Sequence, residues 1–353
     1  AKEYGSILTV APVDFAALYA RMDEVQNDIS LYRESALNTI LPLIRVAEIM
    51  AERYDVAITN PPYMAISSAS AKLNDYINKN YIGGKTDLFS VFIERCLTFS
   101  KQAGYTSMIT MQSWMFLSSF EEMRTKLLTL NTLTTLMHME NMVMGIAFGT
   151  AVSVFRKGAV KGYKGTYNQI KLADIENAKP KSFPVAGNRF AQVSSDNFSK
   201  IPGMPVAYWV SKAVYNAFLN FPNLYSIAPT KMGMTTGDNN KFLRFWYEVN
   251  KQKVGENYPF YNKGTEFRRW FGGIVNVIKW IDNGFEVRHF KGSTIRNDDY
   301  YFKKGITWGL ITSATSSFRS TENYECVYGD AGPGCFPKPE DFYYTLAMLN
   351  LSL

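Results

Sequence analysis

The chain has 353 residues, 46% of them hydrophobic, with 38 Lys and Arg against 31 Asp and Glu and a net charge of +7. That length leaves room for two domains, and the composition is that of a globular protein with a sizeable core. No stretch approaches the roughly 20 apolar residues that span a bilayer, so no membrane partner is expected. Three cysteines (Cys96, Cys326, Cys335) and two histidines (His138, His289) are too scattered for a zinc spacing or a disulfide framework. A reducing, cytoplasmic setting is the expectation.

Residues 1–40 read as polar and partly helical. Ile40 to Arg53 is helical by periodicity, with Ile40, Leu43, Ile44, Ala47 and Met50 on one face. Tyr54 to Thr59 reads as a buried strand and ends on Asn60-Pro61-Pro62-Tyr63. A loop and short helix follow over 64–84, closing on Gly83-Gly84. Asp87 to Ser100 is a helix with Leu88, Val91, Phe92, Cys96 and Leu97 on one side, and Gly104 breaks it. Ser107 to Met111 is the next strand. Ser119-Phe120-Glu121-Glu122 resembles a capping box. Thr132 to Met139 and Ala151 to Phe155 read as a terminal hairpin-like pair. Strands alternating with helices imply an α/β sheet.

Residues 158–203 are rich in Gly, Lys, Pro and Ser and weakly periodic, so they read as a linker or arm. A helix is expected over Tyr208 to Phe218. From about 225 onward, short apolar runs alternate with turn signals such as Gly237-Asp238-Asn239-Asn240 and Asp282-Asn283-Gly284. That pattern reads as an irregular α+β or β-rich domain.

Asn60-Pro61-Pro62-Tyr63 is the segment that points to chemistry. In open α/β sheets ligands bind at the carboxyl ends of strands. An aromatic exocyclic amine is a poor nucleophile because its lone pair is delocalised. An Asn side-chain oxygen and a carbonyl from the proline region can accept its two hydrogens and expose that lone pair. Prolines fix φ and hold the carbonyl in place, and a tyrosine face can stack on an extruded base. The same dipeptides are also common turn signals.

Residues 231–304 hold 14 Lys and Arg against 8 Asp and Glu, an excess of 6 that nearly equals the whole net charge. Aromatics are interleaved: Phe242, Phe245, Trp246, Tyr247, Phe267, Trp270, Phe271, Trp280, Tyr300, Tyr301 and, just beyond, Trp308. A basic, aromatic face suits a polyanion with stacked bases. A basic surface over an aromatic core has the same composition.

Three runs then carry a family resemblance: Tyr54 to Met64, Lys85 to Arg95 and Met111 to Leu117. They resemble the γ-class adenine-specific DNA methyltransferases, most closely the PglX-type enzymes of BREX phage defence and the related type IIG restriction-modification enzymes. Gly233 to Arg244 and Tyr261 to Trp270 resemble the start of their target-recognition domain. The resemblance implies a partial Rossmann-like α/β methyltransferase sheet over 1–160, a linker over 161–205 and an irregular α+β target-recognition domain over 206–353. It implies that Asn60 and the Pro61 carbonyl bind the target amine within the Asn60-Pro61-Pro62-Tyr63 turn. Tyr63 and Phe148 would pack on the flipped adenine, and Asp87 and Phe92 would line the adenosine pocket of S-adenosylmethionine. Simple core packing is the competing reading of Phe92. Lys231, Lys241, Arg244, Arg268 and Arg269 would contact double-stranded DNA, the last two through guanine edges or phosphates. Other phage-defence proteins are the further partners it implies.

One element departs from the pattern. The family has a Gly-rich donor-binding loop after its first strand, and no such turn precedes Asn60. The chain is therefore expected to be an internal piece of a longer protein. The alternatives are an RNA or protein-amide methyltransferase with the same loop, and a DNA-binding or assembly module without catalysis.

Overall fold

The computed structural model describes residues 3–27, 32–81, 83–177, 179–185, 190–264, 266–311 and 315–351. The chain divides into two compact units, Ala1–Asn220 and Phe221–Leu353.

The first unit opens with helices α1 (Phe15–Gln26) and α2 (Arg33–Ala51), packed on each other. Helix α2 begins well before Ile40 and runs through Pro42. Of the apolar face expected on it only Ile44 is buried, while Ile40 and Leu43 are exposed. Strand β1 (Tyr54–Thr59) and helices α3 (Ala71–Asn80) and α4 (Leu88–Phe99) follow. Next come β2 (Ser100–Met111), α5 (Glu121–Leu130), β3 (Asn131–Met139) and β4 (Thr150–Lys157). The expected capping box is not formed. Helix α5 starts from Phe120 with no side-chain cap, and Glu121 and Glu122 in its first turn complement the helix dipole instead.

The linker expected over 161–205 is instead part of this unit. Strand β5 (Lys164–Ile170) and strand β8 (Phe190–Ser194) extend the sheet, and a small hairpin of β6 (Ile175–Glu176) and β7 (Lys179–Pro180) lies between them. The six-stranded order is β1-β2-β4-β3-β5-β8. The β1–β2 and β3–β5 pairs are parallel and the others antiparallel. The polar look of β5 concealed its role because its polar groups are satisfied internally. Asn168 is fully buried, donates from Nδ2 to the Val185 carbonyl and accepts on Oδ1 from the Val185 N–H. The expected helix over Tyr208 to Phe218 is α6 (Lys212–Asn220), which starts four residues later.

Strand β1 was expected to be buried, and it lies at the sheet edge with Val56 51% and Ile58 75% exposed. The core lies farther in, where Phe89, Ile93, Met123, Leu127, Leu136 and Phe155 cluster between α4, α5 and the sheet. Arg124 runs through this core at 1% exposure. Its guanidinium donates to the carbonyls of Trp114, Leu117, Gly203 and Met204, tying α5 to the segment that leads into α6.

The second unit has two small sheets. One has the order β10-β13-β11-β16 and the other β12-β15-β14-β17-β9. The strands are β9 (Thr230–Lys231), β10 (Leu243–Phe245), β11 (Phe260–Asn262), β12 (Trp270–Phe271) and β13 (Asn276–Ile278). After them come β14 (Ile306–Thr307), β15 (Arg319–Ser320), β16 (Cys326–Tyr328) and β17 (Gly334–Cys335). Short helices α7 (Leu224–Ile227), α8 (Asn239–Phe242), α9 (Ile281–Arg288) and α10 (Phe342–Leu349) connect or flank them. Asp282, Asn283 and Gly284 all have left-handed φ, so the turn read there opens α9. A Cβ on Gly233 would lie 1.7 Å from the Tyr328 carbonyl oxygen, so the chain passes β16 only without a side chain there.

Replacing Arg124 with Met keeps the volume but leaves four carbonyls, the buried one of Trp114 among them, without their donor. We expect a loss of about 3 kcal/mol of unfolding free energy, read from urea denaturation of the first unit's tryptophan signal.

Candidate active site

The Asn60–Tyr63 turn leaves the carboxyl end of β1 with Asn60 and Pro62 exposed, Pro61 buried and Tyr63 half-buried. The loop is pinned from the far side by the start of α4. Asp87 caps that helix, and its Oδ1 accepts from the N–H of Phe89 at 3.2 Å and of Met64 at 3.1 Å. The Leu88 N–H donates to the Met64 carbonyl at 2.9 Å, and the Ile66 N–H donates to the Thr86 carbonyl at 3.2 Å. Residues 64–66 and 86–88 thus form a short two-stranded clamp directly after Tyr63. Gly84 permits it, because a Cβ there would meet Glu94 Oε1 at 2.8 Å and the Ser90 backbone at 3.0 Å.

Tyr63 packs edge-on against two rings. Phe89, fully buried in the core, lies 6.1 Å away at 85°, and Phe148 lies 5.8 Å away at 66°. Partial burial pushes the Tyr63 phenol above its usual range. Tyr63 and Phe148, 85 positions apart, are therefore brought together, and both stay partly open to solvent. Their rings are tilted, so no parallel slot exists between them in this state.

Asp87 and Phe92 are placed differently from each other. The Asp87 carboxylate is committed to the helix cap and the clamp. Phe92 is half-buried and packs against two core clusters.

A neighbouring group had no sequence signal beyond an isolated histidine. Phe116, His138, Gln169 and Trp209 line a pocket of about 380 Å³, and Gln112 and Tyr208 hydrogen-bond to His138. His138 lies at the β3 end, 5% exposed, and stacks on Trp209 at 6.1 Å and 28°. Its Nε2–H donates to Gln112 Oε1, and its Nδ1 accepts from the Tyr208 hydroxyl at 3.2 Å. Burial pushes its pKa down to about 4, so the ring is neutral at pH 7. Gln112 also connects to the Phe148 loop, donating from its N–H to the Gly149 carbonyl at 3.0 Å. A Cβ on Gly149 would overlap the Gln112 side chain at 2.4 Å.

In the second unit the five expected DNA contacts divide. Lys241 Nζ pairs with Glu286 at 2.9 Å, and Lys279 pairs with the same carboxylate at 2.7 Å. Hydrogen bonds from Lys241 and then Lys279 hold that carboxyl down to about 2. Arg244 donates to the carbonyls of Asn240 and Leu243. With Lys263, Asn239, Asn240 and Asn276 it borders a second pocket of about 380 Å³. Lys231, on the other sheet, lies over Tyr300 at 5.2 Å. Arg268 is exposed, and the Arg269 guanidinium sits 5.6 Å from the Phe267 ring. The aromatics also divide. Phe242, Trp280 and Tyr301 are core, whereas Trp246, Tyr247, Phe267 and Trp270 are 47–64% exposed.

Residues 17–143 match the family described as the Eco57I restriction-modification methylase. The matched span contains the Asn60–Tyr63 turn, Asp87, Gln112 and His138, and it ends just before Phe148. The whole chain is 33% identical over 368 residues to the adenine-specific methyltransferase BrxX of Escherichia coli O9:H4 (strain HS), covering 99% of this chain and 30% of that protein. It is 32% identical over 359 residues to the adenine-specific methyltransferase PglX of Lacticaseibacillus casei (strain Zhang), covering 90% of this chain and 29% of the relative. The chain thus spans about 30% of the length of these curated relatives. It is also similar to DrdV in its DNA complex, at 13% identity and a TM-score of 0.48, over 85% of this chain and 37% of that one.

The neutral His138 of the first unit has a measurable signature. The unfolded chain takes up a proton near pH 6.5 and the folded one only near 4. Stability from this residue is complete above pH 6.5 and falls as pH drops toward 4, by about 3 kcal/mol. Urea unfolding at pH 7 and pH 4.5 is expected to show that loss, and His138→Gln to remove most of the difference. Equal pH slopes for the two proteins would refute a buried neutral ring.

Proposed function

We propose that this chain is part of a site-specific DNA methyltransferase acting on adenine N6 within a BREX-type phage-defence or restriction-modification system. The observation that carries the reading is an exposed Asn60 at a strand's carboxyl end, beside a half-open Tyr63–Phe148 ring pair and braced by the Asp87 clamp. The names of the two curated relatives support the choice of adenine.

In this reading double-stranded DNA is held by the second unit, with Arg244, Lys263, Arg268 and Arg269 on phosphates or base edges. Adenine leaves the stack at a cost of a few kcal/mol and lies against Tyr63 and Phe148. Asn60 Oδ1 and the Pro61 carbonyl accept the two amino hydrogens, which directs the nitrogen lone pair outward. The clamp keeps those acceptors fixed, so positioning and polarisation of the amine are the chain's contribution. S-adenosylmethionine is the proposed donor and supplies an electrophilic methyl group. The residues described fit it only in part. The Asp87 carboxylate already accepts two backbone N–H groups, and Phe92 is packed into core on both sides. Calorimetric titration of the 353-residue chain with S-adenosylmethionine is accordingly expected to show no saturable binding, and a saturable isotherm would overturn the partial fit.

The direct test uses the longer protein. Asn60→Ala should lower N6-methyladenine formation at least about a hundredfold, measured by mass spectrometry of digested DNA. Duplex binding in a gel-shift assay should stay the same. Wild-type methylation by this variant would sink the assignment, and methylation appearing only on RNA or on a protein amide would redirect it.

A further inference from the structure

Among the described residues three arginines are buried to 2% exposure or less: Arg95, Arg124 and Arg319. Two of them are saturated. Arg95 donates from Nε to the Ser6 carbonyl, from Nη1 to the Thr98 hydroxyl and from Nη2 to the Leu8 and Met50 carbonyls. Arg124 donates to four carbonyls, as described above. Arg319, on β15, is 0% exposed, and its Nε, Nη1 and Nη2 all lack a hydrogen-bond partner. Among the described residues it forms no ion pair, and its guanidinium lies over no aromatic ring. A buried charge is tolerated when it is paired and hydrogen-bonded, and this one is neither.

Its surroundings select the missing partner. The strand on one side is β12, where Trp270 is paired with Arg319, and the residue before Trp270 is Arg269. Arg269 Nε is also buried without a partner. Arg268 is close enough to push the Arg319 guanidinium below its usual range, after burial itself, and its own N–H donates to Ser317 Oγ. On the other side Thr307 is paired with Arg319 but makes no hydrogen bond to it. Its hydroxyl donates to the Pro333 carbonyl and already accepts from Asn262 Nδ2. The charged group acting on Arg319 is therefore another cation, Arg268, and no carboxylate pairs with it among the described residues. An oxyanion with several acceptor oxygens fits it, and exposed Phe267, Trp270 and Phe271 beside it suit a strand bearing bases.

We infer that Arg319, with Arg268, forms an oxyanion site in the second unit whose ligand is a phosphodiester of the bound nucleic acid. This rests on the nucleic-acid reading above. Arg268 is the exposed member that meets the strand first. Arg319 is closed from solvent in this state, so the phosphate reaches it as the residues over it shift. The site is distinct from the pocket bordered by Arg244 and Lys263, which lies on the other sheet.

The test is Arg319→Met in the 353-residue chain, with Arg124→Met beside it. Without ligand, Arg319→Met is expected to melt at or above the wild-type temperature, because it removes an unpaired buried charge, while Arg124→Met melts lower. Binding to a mixed-sequence DNA duplex should weaken about tenfold. Its log–log salt dependence should become shallower by about one. A drop in melting temperature like that of Arg124→Met, with duplex affinity and salt slope unchanged, would make Arg319 structural and overturn the proposal. Inorganic phosphate forms the second arm. If it raises the wild-type melting temperature but not that of Arg319→Met, while duplex binding is unaffected by the substitution, the ligand is free phosphate and the phosphodiester assignment fails. If the wild-type chain binds no duplex at all, the nucleic-acid reading itself fails, and the phosphate arm alone decides whether an oxyanion site exists.

Discussion

The Asp87 carboxylate is the constraint on which the site depends. One oxygen accepts from the first turn of α4 and from the backbone just past Tyr63. A helix start is a fixed cluster of N–H donors, and a carboxylate there gains both hydrogen bonds and a favourable dipole. Sharing that carboxylate with Met64 makes the loop as rigid as the helix. The helix is rigid in turn because Phe89, Val91 and Ile93 are fully buried. Core packing is thus transmitted through one side chain to a turn whose functional groups stay exposed. A loop with two prolines but no such tie would hold its carbonyl less firmly.

Charge is handled differently in the two units. In the first, Arg95 and Arg124 serve as internal bolts, each charge met by backbone carbonyls that accept its N–H groups. In the second, much of the positive excess is turned inward or paired. Glu286 takes two lysines, and Arg244 folds onto its own helix end. The cations left for a polyanion are therefore fewer than the composition implies. Among the described residues, the buried guanidinium nitrogens without partners, Arg269 Nε and all three of Arg319, lie at the β12–β15 pair, beside exposed aromatic rings. The basic face and the aromatic core, which looked like rival explanations of one composition, are both present, on different residues of the same segment.

Much of this was legible from residue order. The turn at 60–63, the helix beginning at Asp87, the β3–β4 pair and the start of an irregular second region all follow from local pattern, because turns, caps and periodicity are short-range properties. The misreadings share a cause. Strand β5 looked like linker because buried Asn168 is satisfied by Val185, 17 positions away. Strand β1 looked buried because it is an apolar run, and helix α2 showed an apolar face, but neither pattern states whether anything covers it.

By itself the sequence determined the chemistry on offer: an amide oxygen, a proline carbonyl and a tyrosine face at a strand's end, together with a surplus of arginine and lysine near exposed aromatics. Only the tertiary structure decided which of these groups are available. It committed Asp87 to a cap, turned Phe92 into the core, set Phe148 against Tyr63, and left Arg319 sealed without an acceptor. Availability depends on which distant backbone groups each side chain meets, and those meetings arise when the sheets close.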